Sequence, residues 1–503
     1  MKRLMILLPL LFWVTSCVRI VRIDLSGTPA PEPSEIAAEM ITPTSVYQKR
    51  PHYIPGELVE YKCLSGDTLQ SLVTRFNTTE REIRQANPVL PEHVTTLPQG
   101  LPLQIPIYYR TSWGSSYKMI PDALFVNGPA QSGFSARAFT DRQKGWFKYY
   151  KVFSSSENRR GGEIVDYVAD NYSVSPRLLL AVLEYVAHAL SVEQYPEEKE
   201  IWNVLGFSGE NYHSLSAQFN QLADTLNETY YNYKAGAAIE YELQDGSLFR
   251  FDPWLNAASA ALQAYFAKVL SPEAFFIAIG PDGFVKTYKQ LFGDFPPVDE
   301  YPAHIEGSLE QIELSLPFAD GEAWTYTGGP HTGWGNLHPY SAIDFAPPTN
   351  EHGCFASKDW VLAPHSGTVV RKDIGQVMFD LDGDGDEHTG WVMLFLHLKT
   401  ESTPPLGAHL EKGDPLGHPS CDGGTSSGTH VHLARKYNGE WIPAGGVIPL
   451  NLSDWIVSDG DAPYEGKMTR YSSYVTASTS SEYFSRVLAG PPILPTKLPS
   501  EKK

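Results

Sequence analysis

Two histidines one residue apart, His430 and His432, are the side chains whose type and spacing most directly suggest chemistry. They alternate with Val431 and Leu433. Because successive side chains of a strand point to opposite faces, both imidazoles would lie on one face. One ring could then bind a metal while the other stands beside it. The alternative is a pair of exposed histidines on a polar sheet face, and the pair alone does not exclude it.

Further residues could complete a catalytic zinc site, which needs three protein ligands and an open position for water. His331, Asp344 and His432 could supply the ligands, and His397 and His430 would flank the water. Zinc lowers the pKa of a bound water towards neutrality, so that it can attack a carbonyl. Neighbouring imidazoles can relay its proton and stabilise the oxyanion that develops. The expected reaction is hydrolysis of a peptide bond.

These residues resemble the lysostaphin-type zinc endopeptidases of bacterial cell walls, and among them the staphylolysin branch, over residues 315–450. In that branch the first histidine ligand lies thirteen residues before the aspartate, ahead of a Pro-Tyr-Ser step. His331 lies thirteen residues before Asp344, and Pro339-Tyr340-Ser341 stands between them. The run Cys421–Gly428 before the histidine pair is a further match. The resemblance favours His331 as the ligand over the competing candidate His338.

The chain departs from that family at one position. The family usually has a tyrosine one or two residues before the strand histidine, whereas Phe395 and Leu396 precede His397 here. His397 and His430 would therefore carry more of the oxyanion stabilisation. A decayed site that only binds is the alternative, and the presence of all five expected residues argues against it.

An acidic loop follows the pattern Asp-x-Asp-x-Asp-Gly, in which carboxylates alternate with small residues as in calcium loops. Its twelfth position is Trp391, where an EF-hand has glutamate. A Ca²⁺ site and a solvated acidic turn both remain open for this loop. The residues concerned are Asp380, Asp382, Asp384 and Asp386.

The N-terminus predicts export. Lys2 and Arg3 precede the apolar run Leu4–Val14, which has the length of a signal-peptide core and is too short to span a bilayer. The run ends in Val-Thr-Ser-Cys17, which resembles the lipobox of bacterial lipoproteins. The resemblance implies a signal peptide at 1–16, a lipidated Cys17 and a membrane anchor facing the cell wall or periplasm. The alternative is a plain secretory signal.

The segment 17–52 is rich in proline and lacks an apolar period, so it is predicted to be a disordered linker. Outside the cytoplasm a disulfide between Cys354 and Cys421 is compatible with the redox conditions. That pairing would leave Cys63 as an odd thiol, although the sequence alone does not fix it.

Residues 53–109 have a strand–helix–helix–strand pattern, and the first helix has one apolar stripe. They resemble a LysM module, which binds glycans containing N-acetylglucosamine. The matching motifs are Ser65–Leu69, Asn87-Pro88, Leu97–Gly100 and Ile105-Pro106. The alternative is a generic α/β spacer. The resemblance implies that glycan would be bound by Gly66, Asp67, Thr68, Leu69 and Asn87.

Residues 110–300 are predicted to be mostly helical. Ser175-Pro176 is typical of a helix start, and the sequence that follows resembles the glutamate-bearing helix of lysozyme-like transglycosylases. The general acid of that family would stand at Val186. Glu184 is two positions early, about 200° around the helix. The domain is therefore predicted to be lysozyme-like and non-catalytic, with an unrelated bundle as the alternative.

Composition sets the remaining limits. A chain of 503 residues with 42% apolar residues is expected to form two to four globular domains. Its formal charge of −19 argues against nucleic acid as a partner. The predicted fold is multidomain α+β: a βααβ module, a helical middle domain, and a mainly antiparallel β peptidase domain at 312–465. Residues 466–503 lose periodicity and are predicted to be a poorly ordered tail.

The sequence therefore predicts a membrane-anchored, extracytoplasmic zinc metalloendopeptidase that cleaves peptide bonds in the stems or cross-bridges of peptidoglycan. The alternative is a non-catalytic wall-binding lipoprotein that recruits or activates other hydrolases. Cleavage of glycan strands by the helical domain is a third hypothesis, and Val186 argues against it.

Overall fold

The computed structural model describes residues 52–108, 113–349, 351–479 and 483–490. Along these ranges a small βααβ unit is followed by a helical region and then by a β-rich region. The predicted signal peptide, Cys17 and almost all of the predicted linker lie outside the described residues. Of the helices described, none combines the length and apolar character that crossing a membrane requires.

The βααβ unit consists of strands β1 (Glu57–Lys62) and β2 (Pro102–Ile107) and helices α1 (Leu69–Phe76) and α2 (Glu80–Ala86). The strands pair antiparallel, with Val59 opposite Ile105. Thr68 and Thr79 cap the two helices, since each hydroxyl accepts a backbone N–H that the first helical turn would leave unpaired. The order of elements is the one expected from the sequence.

The residues predicted to bind glycan in this unit are internal. The Asp67 carboxylate accepts hydrogen bonds from the Tyr61 hydroxyl and the Leu64 N–H and pairs with Arg75. The Asn87 side chain bridges the backbone of α2 and β2. Leu69 belongs to the core, Thr68 is a cap, and Gly66 is a buried turn residue with φ +77°. The SGDTL pattern therefore encodes the turn and the helix start rather than an exposed sugar contact.

The helical region contains two hairpins, β3–β4 (Lys151–Ser154, Glu157–Arg160) and β5–β6 (Glu240–Glu242, Leu248–Arg250). Its core includes Leu179, Val182 and Leu183 of the predicted helix that starts at Ser175-Pro176, and the partly buried Val186 packs against it. Glu184 is buried and accepts the N–H of Leu190, so its carboxylate is engaged within the fold. The helices are α3 (Ala136–Thr140), α4 (Gly161–Tyr172), α5 (Pro176–Ala187), α6 (Glu198–Ile201), α7 (Leu215–Ala235), α8 (Ala257–Val269), α9 (Pro272–Ala278) and α10 (Phe284–Phe292).

Among the described residues, nine strands of the β-rich region form one antiparallel sheet in the order β13-β10-β11-β12-β15-β8-β7-β21, with β16 paired to β15. A separate four-stranded sheet, β17-β18-β19-β20, and the pair β14-β9 flank it. The strands are β7 (Ala323–His331), β8 (Ala342–Ala346), β9 (Val361–Leu362), β10 (Gly367–Asp373), β11 (Gln376–Asp380), β12 (Trp391–Leu396), β13 (His409–Leu410), β14 (Pro415–Gly417), β15 (Val431–Tyr437), β16 (Glu440–Trp441), β17 (Asn451–Leu452), β18 (Trp455–Asp459), β19 (Gly466–Arg470), β20 (Ser473–Thr476) and β21 (Arg486–Leu488).

The helical region covers part of one face of the main sheet. Ala342, Leu394 and Ala434 lie side by side on β8, β12 and β15 and join the helical core. Their alternating neighbours, such as Ile343 and Leu433, face the opposite side and form the second core. Because side chains alternate, the residue two positions after Ala342 on β8 and the residue two positions before Ala434 on β15 lie on the same face as the helices. Those positions are Asp344 and His432.

The end of the chain corrects a prediction. Residues 466–490 were expected to begin a poorly ordered tail, but β19 and β20 pair in the four-stranded sheet and β21 pairs with β7 at the edge of the main sheet. Met468, Val475 and Val487 are the buried anchors of these strands. Strands this short and polar carry too few apolar residues to produce a visible period.

The described residues include three of the four cysteines, and two of these three form a disulfide. Cys354 and Cys421 form a disulfide, and Cys63 is a free thiol buried in the βααβ unit. Burial is the main cause that raises the pKa of the Cys63 thiol, which makes it a poor nucleophile.

A buried ionic cluster joins the regions. Glu440 on β16 accepts hydrogen bonds from the Lys234 ammonium at 2.6 Å and the Tyr230 hydroxyl at 2.9 Å, both on α7. The Glu440 oxygen that accepts the Tyr230 hydroxyl, Oε2, also lies 2.7 Å from His304 Nε2. A buried carboxylate is tolerated only with such partners, so the cluster fixes where β16 meets the helical region.

The pKa of Glu440 predicts how stability depends on pH. Burial raises the pKa of this carboxyl, but Lys234 and His304 outweigh it and lower the pKa to about 2. A carboxyl whose pKa falls on folding stabilises the fold above its unfolded pKa, and this contribution is lost as the pH falls through the folded pKa. We expect Glu440→Gln to reduce the free energy of unfolding by about 3 kcal/mol at neutral pH. The deficit should shrink between about pH 4.5 and pH 2.

Urea titrations of wild type and Glu440→Gln at a series of pH values measure this difference. Glu401→Gln changes an exposed carboxylate of the same region and is the matched control, with no pH-dependent deficit expected. A deficit for Glu440→Gln that stays constant down to pH 2 would contradict the assignment.

Candidate metal centre

Three ligand atoms converge at one end of the main sheet. His331 ends β7, Asp344 lies on β8, and His432 lies opposite Asp344 on β15. His331 Nε2 is 3.0 Å from His432 Nδ1, and both nitrogens are 3.3 Å from Asp344 Oδ1. All three side chains are buried. Strand pairing thus brings His331 and His432 together, although they are 101 positions apart in the chain.

Backbone carbonyls fix the orientation of both ligand imidazoles. His331 donates Nδ1–H to the Gly329 carbonyl at 2.8 Å, and His432 donates Nε2–H to the Gly333 carbonyl at 3.2 Å. Each ring therefore directs a lone pair towards the other and towards Asp344. In metalloproteins such backbone acceptors set the tautomer of the ligand histidine.

The charges at the cluster suit a cation. Burial raises the pKa of Asp344, but His331, His432 and His430 outweigh it and hold this pKa well below its usual range. Asp344 Oδ1 is buried and accepts no hydrogen bond from the described residues. Burial lowers the pKa of His331, but the Asp344 carboxylate outweighs it and raises this pKa, so a proton on His331 can balance the charge of Asp344. A metal cation would take the place of that proton between the ionised oxygen and the two imidazole nitrogens. Two nitrogens and one oxygen are the donor set of many catalytic zinc sites.

Two further histidines stand beside the ligands. The ring centroids of His397 and His430 are 4.5 Å apart, and both rings line the same cleft. His397 donates Nδ1–H to the Asp422 carbonyl at 3.0 Å, and His430 donates Nδ1–H to the Gly428 carbonyl at 2.8 Å. Neither Nε2 makes a hydrogen bond to another described residue, and that of His430 is 3.7 Å from Asp344 Oδ1. Burial, together with His430 and His432, lowers the pKa of His397 to about 4, so its imidazole is neutral.

The disulfide secures the loops that hold this second pair. Cys421 immediately precedes Asp422, whose carbonyl orients His397. Its partner Cys354 lies between Gly353 and Phe355, both of which bond to Thr429 next to His430. One covalent link therefore joins the backbone around both imidazoles.

The cleft beside the cluster has a volume of about 790 Å³. Every described residue that lines it lies between Ala323 and Arg486, so the βααβ unit and the helical region do not line it. Its walls include Thr325, Thr327 and Trp334 in addition to the histidines. Among the described residues, only those of the β-rich region therefore border the path of an extended peptide to the cluster.

Comparisons with known proteins show what the chain is similar to. Residues 118–303 match the family described as LasA, N-terminal domain. The chain is 23% identical over 398 residues to protease LasA of Pseudomonas aeruginosa, a match that covers 74% of this chain and 85% of that protease. It is 26% identical over 173 residues to the beta-lytic metalloendopeptidase of Achromobacter lyticus, which covers 31% of this chain and 41% of that protein. The chain is similar to LasA, and it is a metalloendopeptidase.

A solved structure of the M23 metalloprotease pseudoalterin, from the deep sea, is also similar. It is 24% identical, covers 33% of this chain and 95% of its own, and has a TM-score of 0.28. The LasA N-terminal match covers nearly all of the region that the sequence predicts to be lysozyme-like. The lysozyme-like relationship stays a prediction.

The competing ligand candidate and the acidic loop lie elsewhere in the peptidase. His338 pairs with Glu228 at 2.8 Å and stacks on Tyr340, outside the ligand cluster. The carboxylates of Asp380, Asp382 and Asp384 lie close together. Both oxygens of Asp380 already accept N–H groups of its own loop, and Asp386 binds Ser132 and His388. These contacts stabilise the acidic turn, and the Ca²⁺ site at this loop stays a prediction.

Tyr464 is a site residue that the sequence did not single out. Its ring stacks on His331 with centroids 4.2 Å apart, and backbone bonds to Gly329 and Pro330 hold it there. Burial and the charge of Asp344 raise the pKa of its hydroxyl, which stays protonated. Tyr464 therefore adds a phenol to the lining of the cleft. The family usually has a tyrosine just before the strand histidine, and this chain lacks one before His397. Tyr464 lies 133 residues after His331 in the chain, in a turn without any motif.

The helical region positions one wall of the cleft. Asp224 on α7 accepts hydrogen bonds from the backbone and side-chain N–H groups of Asn336, at 3.1 and 3.3 Å. Glu228, one turn along, accepts the N–H of His338 at 2.9 Å. Trp334, Gly335 and Asn336 line the cleft. The loop between the first ligand and Asp344 is thus bound to a different region of the chain.

Removing this support should slow the enzyme without removing its metal. We expect Asp224→Ala to lower kcat/KM about tenfold, because small displacements of a substrate-binding wall cost that much or more. Metal content should stay unchanged, and Asp224→Asn, which keeps one carbonyl acceptor, should retain most of the activity. Glu210→Ala, an exposed change in the same region, is the control. Steady-state kinetics with metal analysis provide both measurements, and an Asp224→Ala enzyme at full activity would refute the positioning role.

Proposed function

We propose that this LasA-like metalloendopeptidase is a zinc enzyme that hydrolyses peptide bonds in the stems or cross-bridges of peptidoglycan. The single observation that carries the proposal is the convergence of His331, Asp344 and His432 at 3.0 to 3.3 Å beside His397 and His430. The sequence resemblance to lysostaphin-type enzymes of bacterial cell walls supports the choice of substrate.

Zinc held by these three ligands would acidify a water molecule and polarise the scissile carbonyl. The remaining steps belong to side chains of the chain itself. His397 and His430 are oriented by Asp422 and Gly428, and each has an Nε2 that can accept a proton. One neutral imidazole can take the proton of the attacking water, and the protonated ring can pass it to the leaving amine. The second can donate a hydrogen bond to the developing oxyanion.

The hydroxyl of Tyr464 adds a second donor for that oxyanion. We expect Tyr464→Phe to lower kcat by about 100-fold, the usual cost of losing one such donor, with zinc content and KM nearly unchanged. Phenylalanine keeps the stacking on His331, which separates the hydroxyl from the packing of the ring. Tyr471→Phe, at an exposed tyrosine of the adjacent sheet, is the matched control. Equal turnover of wild type and Tyr464→Phe would exclude the hydroxyl from the reaction.

Digestion of purified peptidoglycan by the full chain tests the function. Mass spectrometry should show new amino termini at one type of peptide bond and no new reducing-end sugars. A chelator should stop the reaction and added Zn²⁺ should restore it. A zinc-loaded protein that releases no peptide fragments would instead support the non-catalytic, wall-binding lipoprotein. Absence of stoichiometric zinc from the purified protein would also count against the enzyme.

The location of the enzyme is part of the proposal. Lipidation of Cys17 would hold the peptidase at a membrane that faces its substrate, as the resemblance of Val14–Cys17 to a lipobox implies. Incorporation of a labelled fatty acid into wild type, but not into Cys17→Ser, would support the anchor. The LysM resemblance adds an affinity of the βααβ unit for glycans that contain N-acetylglucosamine.

A further inference from the structure

Residues 301–309, which we call the strap, connect the helical region to the peptidase and run across the βααβ unit. The strap contacts the loop between β1 and α1 through one serine. Ser65 Oγ accepts the N–H of Ile305 at 3.0 Å and lies 3.2 Å from His304 Nδ1. Ser65, His304 and Ile305 are all buried. The strap is therefore hydrogen-bonded to this loop in the interior of the protein.

The same strap bonds to the loop between α2 and β2. Thr96 Oγ1 donates to the Glu306 carbonyl at 2.6 Å and accepts the N–H of Leu309 at 3.0 Å. The Thr96 carbonyl accepts the N–H of Ser308 at 2.8 Å, and Thr95 Oγ1 donates to the Leu309 carbonyl at 2.8 Å. Backbone donors and acceptors of the strap are thus paired with both loops, as those of a bound extended peptide would be.

Packing against the unit leaves no space at the middle of the strap. A Cβ added to Gly307 would lie 2.7 Å from the Pro98 Cα, closer than real Cβ contacts occur. Ile305 and Leu309 are buried on either side. At the N-terminal side, His304 reaches 2.7 Å from Glu440 and so ties the strap to the peptidase.

We propose that the strap is an intramolecular occupant of the face between these two loops, which closes the βααβ unit to external ligands in the resting protein. This inference rests on the glycan affinity proposed for the unit. The hydroxyls and the amide on that face, from Ser65, Thr95, Thr96 and Gln99, are the groups that would hydrogen-bond a sugar, and all of them bind the strap instead. Displacement of the strap frees them, so glycan binding and release of the strap are mutually dependent.

The full chain carrying Gly307→Val tests this, because the added side chain collides with Pro98 and changes no residue of the βααβ unit. Ala303→Val adds the same kind of bulk at an exposed strap position and is the matched control. The probe is the tetramer of N-acetylglucosamine, titrated by calorimetry. We expect Gly307→Val to bind at least tenfold more tightly than wild type and Ala303→Val. Unchanged peptidase activity and zinc content verify that the variant is folded.

Hydrogen exchange of wild type gives an independent measurement. Saturating tetramer should increase the exchange of the Ser308 and Leu309 amides, because both lose their Thr96 partners. Equal affinity of wild type and Gly307→Val, without faster exchange, would overturn the occupancy of the face while leaving the glycan affinity intact. Failure of both folded proteins to bind the tetramer would overturn the glycan affinity itself.

Discussion

Replacing His432 with alanine should abolish both metal binding and peptide-bond hydrolysis. His432 supplies one of three ligand atoms, and the remaining pair, His331 and Asp344, cannot by itself retain zinc tightly. Zinc contributes several kcal/mol of transition-state stabilisation, and each 1.4 kcal/mol is a tenfold change in rate. We therefore expect a loss of activity of more than about 1000-fold. Metal analysis of the purified variant should find less than one-tenth of the zinc of wild type.

A matched histidine change separates this effect from general damage. His409 is exposed on β13 of the same domain, and His409→Ala should keep stoichiometric zinc and full activity. Circular dichroism of His432→Ala should match wild type, because the change removes a side chain and leaves the backbone pairing of β15 in place. A His432→Ala protein that still binds one zinc tightly would show that the ligand set has been misidentified.

Replacing His430 with alanine should have a different outcome, although it lies only two residues away. Its Nε2 is 3.7 Å from Asp344 Oδ1 and its Nδ1 is bound to the Gly428 carbonyl, so it stands beside the ligands instead of completing them. Zinc content should stay near one per chain. Turnover should fall by about 100-fold to 10,000-fold, the usual contribution of a positioned acid or base.

The two variants together test the division of roles. Single-turnover digestion of peptidoglycan peptides measures the chemical step, and the fall for His430→Ala should appear in kcat rather than in KM. His418→Ala, at a histidine bound to the Asp359 carbonyl outside the cleft, is the control for this variant. Loss of zinc from His430→Ala, or unchanged turnover, would contradict the proposed role.

The identities of the site residues could be predicted from the sequence. The alternation of Thr429–Leu433 indicates a strand with two histidines on one face. The resemblance to the staphylolysin branch, whose first ligand lies thirteen residues before the aspartate, favours His331. Both are local patterns that depend on the two-residue period of a strand and on a short motif. The helix caps at Thr68 and Ser175 were predictable for the same reason, because a cap depends only on neighbouring residues.

The sequence did not indicate what surrounds those residues. Whether Gly66–Leu69 faces solvent depends on Lys234 and Ile305, which are more than 160 residues away and meet the turn only in the folded chain. The support of Asn336 by Asp224, the stacking of Tyr464 on His331 and the pairing of β21 with β7 are likewise contacts between distant segments.

The physical reason is the range of each interaction. Hydrophobic period, turn chemistry and capping act within a few residues. The sequence is therefore sufficient to predict the candidate metal ligands and catalytic histidines, and the strands and helices near them. Backbone acceptors such as the Gly329 and Gly333 carbonyls choose the tautomers of His331 and His432, and they do so through hydrogen bonds whose geometry exists only once the sheet has formed. Only the folded chain shows that His331, Asp344 and His432 converge, that a cleft lies beside them, and that the strap packs on the βααβ unit.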